Sequence, residues 1–280
     1  MLFEAWVGAL AYTLQLYFDF SGYSDMAVGL SRIFNIKLPL NFHSPYKAAN
    51  IIEFWRRWHM TLSAFLRNYL YYPLGGNQKG PVRRHLNLMV TMLLGGLWHG
   101  AGWNYVLWGG LHGVYLMINH AWRALTGGAS ASASGRMAGV GITFAAVVVA
   151  WVPFRASHFE ATQAMLGGMA GFNGVSLPIP LEAIFGKWLG EWAVFTGFLP
   201  IVGIPTREWI LWLLSGVCVI WFLPNSQQWL ARFSPAWDSV ASSSRLAWKP
   251  TRGYAILVGC ILGVGFLSMN RVSDFLYFQF

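Results

Sequence analysis

The sequence predicts an all-α, polytopic integral membrane protein, and its composition supports that prediction. Hydrophobic residues make up 56% of the 280 residues, whereas charged residues make up only 10%. A soluble domain usually contains about a quarter charged residues. Much of the surface is therefore expected to face lipid, with residues 1–280 forming a single membrane-embedded domain.

Membrane topology explains the positive net charge of +9. Lysine and arginine lie beside apolar runs, within residues 56–57, 79–84, 123–136 and 245–252. Such residues accumulate in the cytoplasmic loops of membrane proteins. Since no basic face with base-reading chemistry accompanies them, the lipid bilayer is the expected partner and nucleic acid is not.

Apolar stretches long enough to enter or cross a bilayer punctuate the chain, since a spanning helix needs about 20 residues. They cover roughly residues 4–20, 86–122, 137–154, 208–224 and 253–270. The second stretch fits either two passes or a re-entrant hairpin broken at residues 98–102. Residues 181–204 fit either a further span or an interfacial helix, because charged residues and a proline interrupt them.

The segments between these stretches differ in character. Residues 21–35 alternate small, polar and apolar side chains, and residues 51–66 cluster polar groups among aromatic ones, as an interfacial or re-entrant helix does. Residues 73–81 are rich in turn formers and are assigned to the cytoplasmic side. Residues 127–135, GGASASASG, are predicted to be a flexible linker loop.

His99 is the first candidate for chemistry, because it lies inside an apolar segment where an ionisable group is by default a functional candidate. Glycines at positions 95, 96, 100 and 102 are predicted to interrupt the helix and to admit another backbone or a ligand. Two interpretations stay open. His99 is either a general base that takes a proton from a hydroxyl, or a packing residue bonded to a backbone carbonyl.

His59 is the second candidate, in a segment that also holds Arg56 and Arg57. It could pair with His99 across a pocket while an arginine binds an anionic donor group. Its immediate neighbours favour the structural alternative, in which the arginines reach lipid headgroups and the tryptophans form an interfacial belt. Glu53 and Arg57 could also neutralise each other at i,i+4.

Other polar residues carry weaker signals. Asp19 and Asp25 could form an acid–base pair, but a structural or pocket-lining role is favoured because aspartate beside serine and glycine also caps helices. His112 is interpreted as a packing residue. The sequence holds no metal-ligand motif and no serine-hydrolase elbow, so neither a metal nor a bound cofactor is predicted.

Three long motifs resemble the membrane-bound O-acyltransferase family, in particular its bacterial alginate O-acetyltransferase-like branch. They are FDFSGYSDMAVGLSRIFNIKLPLNFHSPY, FWRRWHMTLSAFLRNYLYYPLGGN and GGLWHGAGWNYVLWGGLHGVYL, and the closing FLYFQF resembles the end of that branch. The resemblance is strongest over residues 12–122. It implies a helical membrane ring in which a histidine lies between a cytoplasmic donor entrance and an acceptor entrance on the opposite side.

Under this resemblance, His99 corresponds to the catalytic histidine and His59 to the family's second polar position. Donor or substrate binding is predicted for Arg56, Arg57, Trp98, Trp103 and Asp19. The implied activity moves an acetyl group from a cytoplasmic thioester, acetyl-CoA or another, toward an exported polysaccharide at the bacterial inner membrane.

The resemblance also implies a partner and a difference in length. Periplasmic acetyltransferase- or acetylesterase-like proteins are expected to complete the modification. The family's N-terminal spans are not found in this sequence, so the chain is expected to be a C-terminal portion. A transport protein and a non-catalytic scaffold stay as alternatives.

Overall fold

The computed structural model describes residues 1–127, 131–177, 179–195, 197, 206–238 and 246–269, and these residues are mostly helical. The α-helices are α1 (Leu2–Ile33), α2 (Ile51–Trp55), α3 (Met60–Leu66), α4 (Gly80–Trp98), α5 (Trp103–Leu125), α6 (Ala133–Arg155), α7 (Phe159–Met169), α8 (Glu182–Leu189), α9 (Thr206–Phe222), α10 (Ser226–Trp229) and α11 (Arg252–Ser268). Strands β1 (Val175–Ser176) and β2 (Ala193–Val194) form one short parallel pair. The helical class is thus confirmed.

Helix α6 is the one helix in the described ranges that is both long and apolar enough to cross a membrane. It corresponds to the predicted stretch 137–154 and begins at Ala133, so the last three residues of the predicted linker are helical. Residues 128–130 of that linker lie outside the described residues, as do residues 245 and 275–280. Shorter apolar helices occupy the other two C-terminal stretches, over Glu208–Phe222 and Arg252–Ser268.

Helix α1 continues to Ile33 instead of ending near residue 20. Distant partners hold its second half. The Asp25 carboxylate accepts hydrogen bonds from Ser226 Oγ (2.6 Å) and Gln227 Nε2 (3.1 Å), and Asn41 Nδ2 donates to Ser24 Oγ (3.2 Å). These tertiary contacts outweigh the weak helix propensity of serine and glycine, and they give Asp25 a structural role.

The long stretch 86–122 forms two helices, α4 and α5, joined by a turn at residues 99–102. The prediction that glycines 95 and 96 interrupt the helix is wrong, because both lie inside α4. They serve close packing instead. A Cβ on Gly96 would lie 2.2 Å from the Tyr105 carbonyl oxygen, and one on Gly109 would lie 2.2 Å from that of Met92.

Residues 51–66 form two short helices rather than one, with a break at residues 56–59. Within the predicted stretch 181–204, residues 182–189 form α8, a helix of eight residues, and β2 follows at residues 193–194. Residues 198–205 lie outside the described part. The central core is aromatic, and its largest fully buried side chains include Phe54, Trp108, His112 and Trp151.

The two ends of the helical bundle differ in charge. The basic end is defined by Arg136 near the start of α6, which contacts Glu53 (3.5 Å), and by His85 of α4, which lies beside His120 of α5 (6.3 Å between ring centroids). The Arg155 end is defined by the end of α6. The α4–α5 turn lies there, because Asn104 Nδ2 donates to the Ala156 carbonyl (2.9 Å).

Candidate active site

His99 caps the C-terminus of α4 at the Arg155 end of the bundle. Its backbone N–H donates to the Gly96 carbonyl (3.0 Å). Its imidazole is surrounded by aromatic rings, with centroid distances of 5.0 Å to Trp98, 5.1 Å to Trp108 and 5.0 Å to Phe154. The ring therefore lies at the end of a helix and among apolar side chains. Such surroundings disfavour the charged form, so the neutral imidazole is favoured.

His59 lies at the break between α2 and α3 with a positive φ of 41°. This left-handed conformation is strained for a residue with a side chain. Asn41 holds it in place, since its carbonyl accepts from the Met60 N–H (2.9 Å) and its side-chain Oδ1 lies 3.0 Å from His59 Nδ1. The sequence does not identify Asn41 as a partner of His59, because the two lie 18 residues apart and Asn41 is in an irregular segment.

The same hydrogen bonds assign the tautomer of His59. Asn41 Oδ1 also accepts from Thr61 Oγ1 (2.9 Å) and from the Thr61 backbone N–H (3.4 Å), and a backbone N–H can only donate. Asn41 Oδ1 is therefore the acceptor, and we assign the proton of neutral His59 to Nδ1. This leaves Nε2 with a lone pair as the atom able to take a proton.

His59 and His99 line one narrow cavity, so the structure brings the two predicted histidines together. The other lining residues are apolar or aromatic: Leu16, Trp55, Trp58, Leu62, Trp108, Trp151 and Phe154. The cavity encloses about 10 Å³, which is room for a single water molecule. We call it the histidine cavity.

Two larger cavities adjoin the histidine cavity through shared walls. Trp55 also lines a cavity of about 760 Å³ that includes Arg56, Thr61 and Arg67, which we call the Arg56 cavity. Phe154 also lines a cavity of about 420 Å³ that includes Arg155, which we call the Arg155 cavity. Each of the two larger cavities thus shares one aromatic side chain with the histidine cavity.

The two predicted arginines occupy different environments. Arg56 is exposed and lines the Arg56 cavity. Arg57 Nη2 instead pairs with Glu53 Oε1 at 2.6 Å, in the i,i+4 arrangement considered from the sequence, and Arg136 approaches the same oxygen at 3.5 Å. Arg56 is therefore the better placed of the two to meet a ligand.

The remaining predicted ligand-binding residues do not share one location. Trp98 is 61% exposed and packs on His99, whereas Trp103 is 81% exposed and lines the Arg155 cavity. Asp19 is half-buried on α1, where its side chain bonds to Gln15. The residues described as lining the three cavities include Trp103 but neither Trp98 nor Asp19.

His112 lies close to this region but does not line the histidine cavity. Its side chain is fully buried, and its Nδ1 accepts a hydrogen bond from Trp55 Nε1 (3.3 Å). Phe54 stacks on the ring at 6.1 Å, and Trp108 packs on it edge-on at 4.9 Å. Among the described residues, no group of three or more histidine, cysteine or acidic side chains could hold a metal ion.

Comparison with known proteins places these residues in a family context. The profile of the membrane-bound O-acyltransferase family matches residues 1–154, which include both histidines. The chain is 52% identical over 280 residues to the peptidoglycan O-acetyltransferase of Helicobacter pylori, covering 99% of this chain and 49% of that protein. It is 50% identical over 280 residues to a probable alginate O-acetylase of Pseudomonas putida, covering 99% of this chain and 53% of that protein.

A more distant similarity covers only part of the chain. The teichoic acid D-alanyltransferase of Bacillus subtilis is 36% identical over 112 residues, covering 38% of this chain and 28% of that protein. The chain spans about half the length of the two more similar relatives. By their names, the three relatives transfer acetyl or D-alanyl groups and act on peptidoglycan, alginate and teichoic acid.

Proposed function

The chain belongs to the membrane-bound O-acyltransferase family, and from that premise we propose that it moves an acetyl group from a cytoplasmic thioester toward a hydroxyl of an exported polysaccharide. Acetyl-CoA is the proposed donor. The observation that carries the proposal is the pair His59 and His99, which line one cavity that shares a wall residue with each of two larger cavities. Such an arrangement suits a reaction whose two substrates arrive from different sides.

The difference in charge between the two ends of the helical bundle supports an orientation of the chain in the membrane. The basic end carries Arg57, Arg84, Arg123 and Arg136, and positively charged residues favour the cytoplasmic side. The Arg155 end would then face the periplasm. We propose a multi-pass protein of the bacterial inner membrane, which supplies acetyl groups to periplasmic acetyltransferase- or acetylesterase-like partners.

The proposed chemistry is a direct acyl transfer with His99 as general base. The imidazole of His99 takes the proton of the acceptor hydroxyl as that oxygen attacks the thioester carbonyl. A new C–O bond forms, the C–S bond breaks, and the leaving thiolate takes the proton back from the His99 imidazolium. General-base catalysis of this kind typically contributes a factor of about 10² to 10⁴ in rate.

The tautomer of His59 limits its role in this scheme. With its proton on Nδ1 and directed to Asn41, neutral His59 offers a lone pair at Nε2. It can accept a hydrogen bond from an acceptor hydroxyl or from the His99 ring and so orient either one. A neutral ring in this state cannot polarise the thioester carbonyl by donation, so orientation is the role proposed.

Donor binding is assigned to the Arg56 cavity. Its volume of about 760 Å³ lies within the range of ligand sites, which is about 300 to 1,000 Å³. Arg56 and Arg67 line it and could meet the phosphates of a coenzyme A thioester. Trp55 would separate the bound donor from the histidines until its ring moves.

The alternatives of transport and scaffolding are less well supported. A transporter or channel needs a continuous path, whereas the histidine cavity admits about one water molecule. A scaffold needs no pair of histidines of which one, His59, is held by a strained backbone and by the Asn41 side chain. Acyl transfer uses both features.

The test is the amount of ester-linked acetate on the cell's polysaccharides. A deletion strain is complemented with the wild type, with His99→Gln, or with His120→Gln as a matched control at the basic end. We expect His99→Gln to lower acetate at least about 100-fold, with equal protein in the membrane, and His120→Gln to leave it unchanged. Normal acetylation by His99→Gln would refute the catalytic assignment.

A further inference from the structure

Residues 221–238, which we call the C-terminal clamp, hold a loop of the candidate active site. The clamp comprises the end of α9, α10 and the residues after it, and it lies outside residues 1–154, which the family profile matches. Residues 36–50 form the loop, which we call the Asn41 loop. Hydrogen bonds join the two segments: Trp221 Nε1 donates to the Tyr46 carbonyl (3.2 Å), Asn225 Nδ2 to Ser44 Oγ (2.8 Å), and the Trp237 N–H to the Leu38 carbonyl (2.7 Å).

Ser44 is a strained point of the Asn41 loop. Its φ is 49°, a left-handed value that is unfavourable for a residue with a side chain. Such a conformation persists only where the surrounding structure holds it. Ser44 is buried, and its Oγ accepts a hydrogen bond from the Asn225 amide, which also lies 3.2 Å from His43 Nδ1. Asn225 therefore holds this turn of the loop in place.

Asn225 is itself fixed in position by other hydrogen bonds. Its Oδ1 accepts from the Gln228 N–H (2.8 Å), and Gln228 Oε1 accepts from the Asn225 N–H (3.1 Å), so the two residues form a capping box at the start of α10. The next two residues, Ser226 and Gln227, donate to the Asp25 carboxylate of α1. The amide that contacts Ser44 is thus anchored to α1 and directed by its own helix cap.

The residues just before Ser44 hold His59. The backbone N–H of His43 donates to the carbonyl of Arg57 (2.9 Å), which lies in the break between α2 and α3. Asn41 contacts the other side of that break, through its backbone carbonyl and through Oδ1 beside His59 Nδ1. His59 therefore keeps its left-handed backbone and its ring orientation only while residues 41–44 keep their conformation.

We propose that Asn225 is a positioning residue for the acyl transfer, because it holds Ser44 in its strained conformation and so keeps Asn41 and His59 in place beside His99. The proposal rests on the proposed function, since it concerns the second histidine of that reaction. The residues lining the histidine, Arg56 and Arg155 cavities do not include Asn225, so its effect passes through the Asn41 loop. Misplacing a reacting group by about 1 Å can cost about 100-fold in rate.

The first test compares Asn225→Ser with Gln228→Ala in the complemented deletion strain. Serine keeps a capping oxygen for α10 but removes the amide that donates to Ser44, whereas Gln228→Ala removes the other half of the capping box and leaves that amide in place. We expect Asn225→Ser to lower polysaccharide acetate per folded protein about tenfold, and Gln228→Ala to keep it within about twofold of the wild type. Ser44→Ala removes the same hydrogen bond from the loop side and should match Asn225→Ser. Wild-type acetate in both Asn225→Ser and Ser44→Ala would overturn the proposal.

Two further measurements separate positioning from general support of the fold. Adding Asn225→Ser to Asn41→Leu should cause no further loss of acetate, because Asn225 acts through Asn41; losses that multiply, as those of independent sites do, would overturn the proposal. Hydrogen–deuterium exchange of the full chain in nanodiscs needs no activity, and Asn225→Ser should speed exchange in peptides covering residues 41–47 and 57–60. Unchanged exchange at residues 57–60 would also overturn the proposal. Faster exchange there, together with full activity of His99→Gln, would instead refute the proposed function alone.

Discussion

His99 and His112 lie on the same helical hairpin, and both are enclosed by aromatic rings, yet their surroundings differ. His99 follows the last residue of α4 and lines the histidine cavity. His112 lies in the middle of α5, is fully buried and accepts a hydrogen bond from Trp55. Trp108 separates them, with its ring 5.1 Å from one imidazole and 4.9 Å from the other.

This contrast shows that an aromatic environment does not by itself make a histidine reactive. A residue at a helix end can face a cavity because the backbone turns away beyond it. A residue inside a close-packed helix pair has neighbours on every side, and here Nδ1 of His112 already accepts a hydrogen bond from Trp55. His112 is therefore expected to affect stability, whereas His99 and the residues that orient its companion are expected to affect chemistry.

The largest effect after that of His99 is expected for Asn41→Leu. Without the Asn41 carbonyl oxygen the proton of His59 is no longer fixed on Nδ1, and loss of such an orienting acceptor costs on the order of 100-fold in rate or more. Asn41→Asp keeps an acceptor oxygen and should retain most of the activity. The amount of ester-linked acetate on the polysaccharide, normalised to folded protein, measures the activity of both variants. Equal activity of Asn41→Leu and the wild type would contradict the assigned tautomer.

A smaller and different effect is expected for His112→Leu. The side-chain volume is similar, but the Trp55 N–H becomes a buried donor without a partner, which costs about 1–3 kcal/mol in the free energy of unfolding. Activity per folded molecule should stay within about twofold of the wild type, because His112 does not line the histidine cavity. Thermal unfolding in detergent and the acetylation assay report the two quantities. A large loss of activity at unchanged stability would contradict the view that His112 acts on stability and His99 on chemistry.

The smallest effect is expected in the coupling between Trp55 and His112. Trp55→Phe leaves His112 Nδ1 without its donor, and the double variant Trp55→Phe/His112→Leu removes both partners of the hydrogen bond. The double variant should be more stable than the sum of the two single losses by about 1 kcal/mol, the usual net value of one such bond. Strict additivity would show that the bond contributes little to folding.

Much of the candidate site could be predicted from the sequence because its signals are local. An ionisable residue in an apolar segment identifies His99, and the polar cluster among aromatic residues identifies the segment around His59. The sequence does not make Arg155 conspicuous, since an arginine at the end of an apolar run is ordinary in a membrane helix. Its contact with the Tyr12 ring, which is distant in sequence, forms only in the folded chain.

The sequence by itself determined the helical membrane class, the approximate position of α6 and the choice of His59 and His99 as candidates. Hydropathy and residue type can be read from short stretches of the chain. Only the tertiary structure decided that α1 continues to Ile33 and that Asn41 Oδ1 lies beside His59 Nδ1. It alone placed both histidines in one cavity that adjoins two larger cavities. These features depend on hydrogen bonds and close packing between residues far apart in the chain, which no local pattern records.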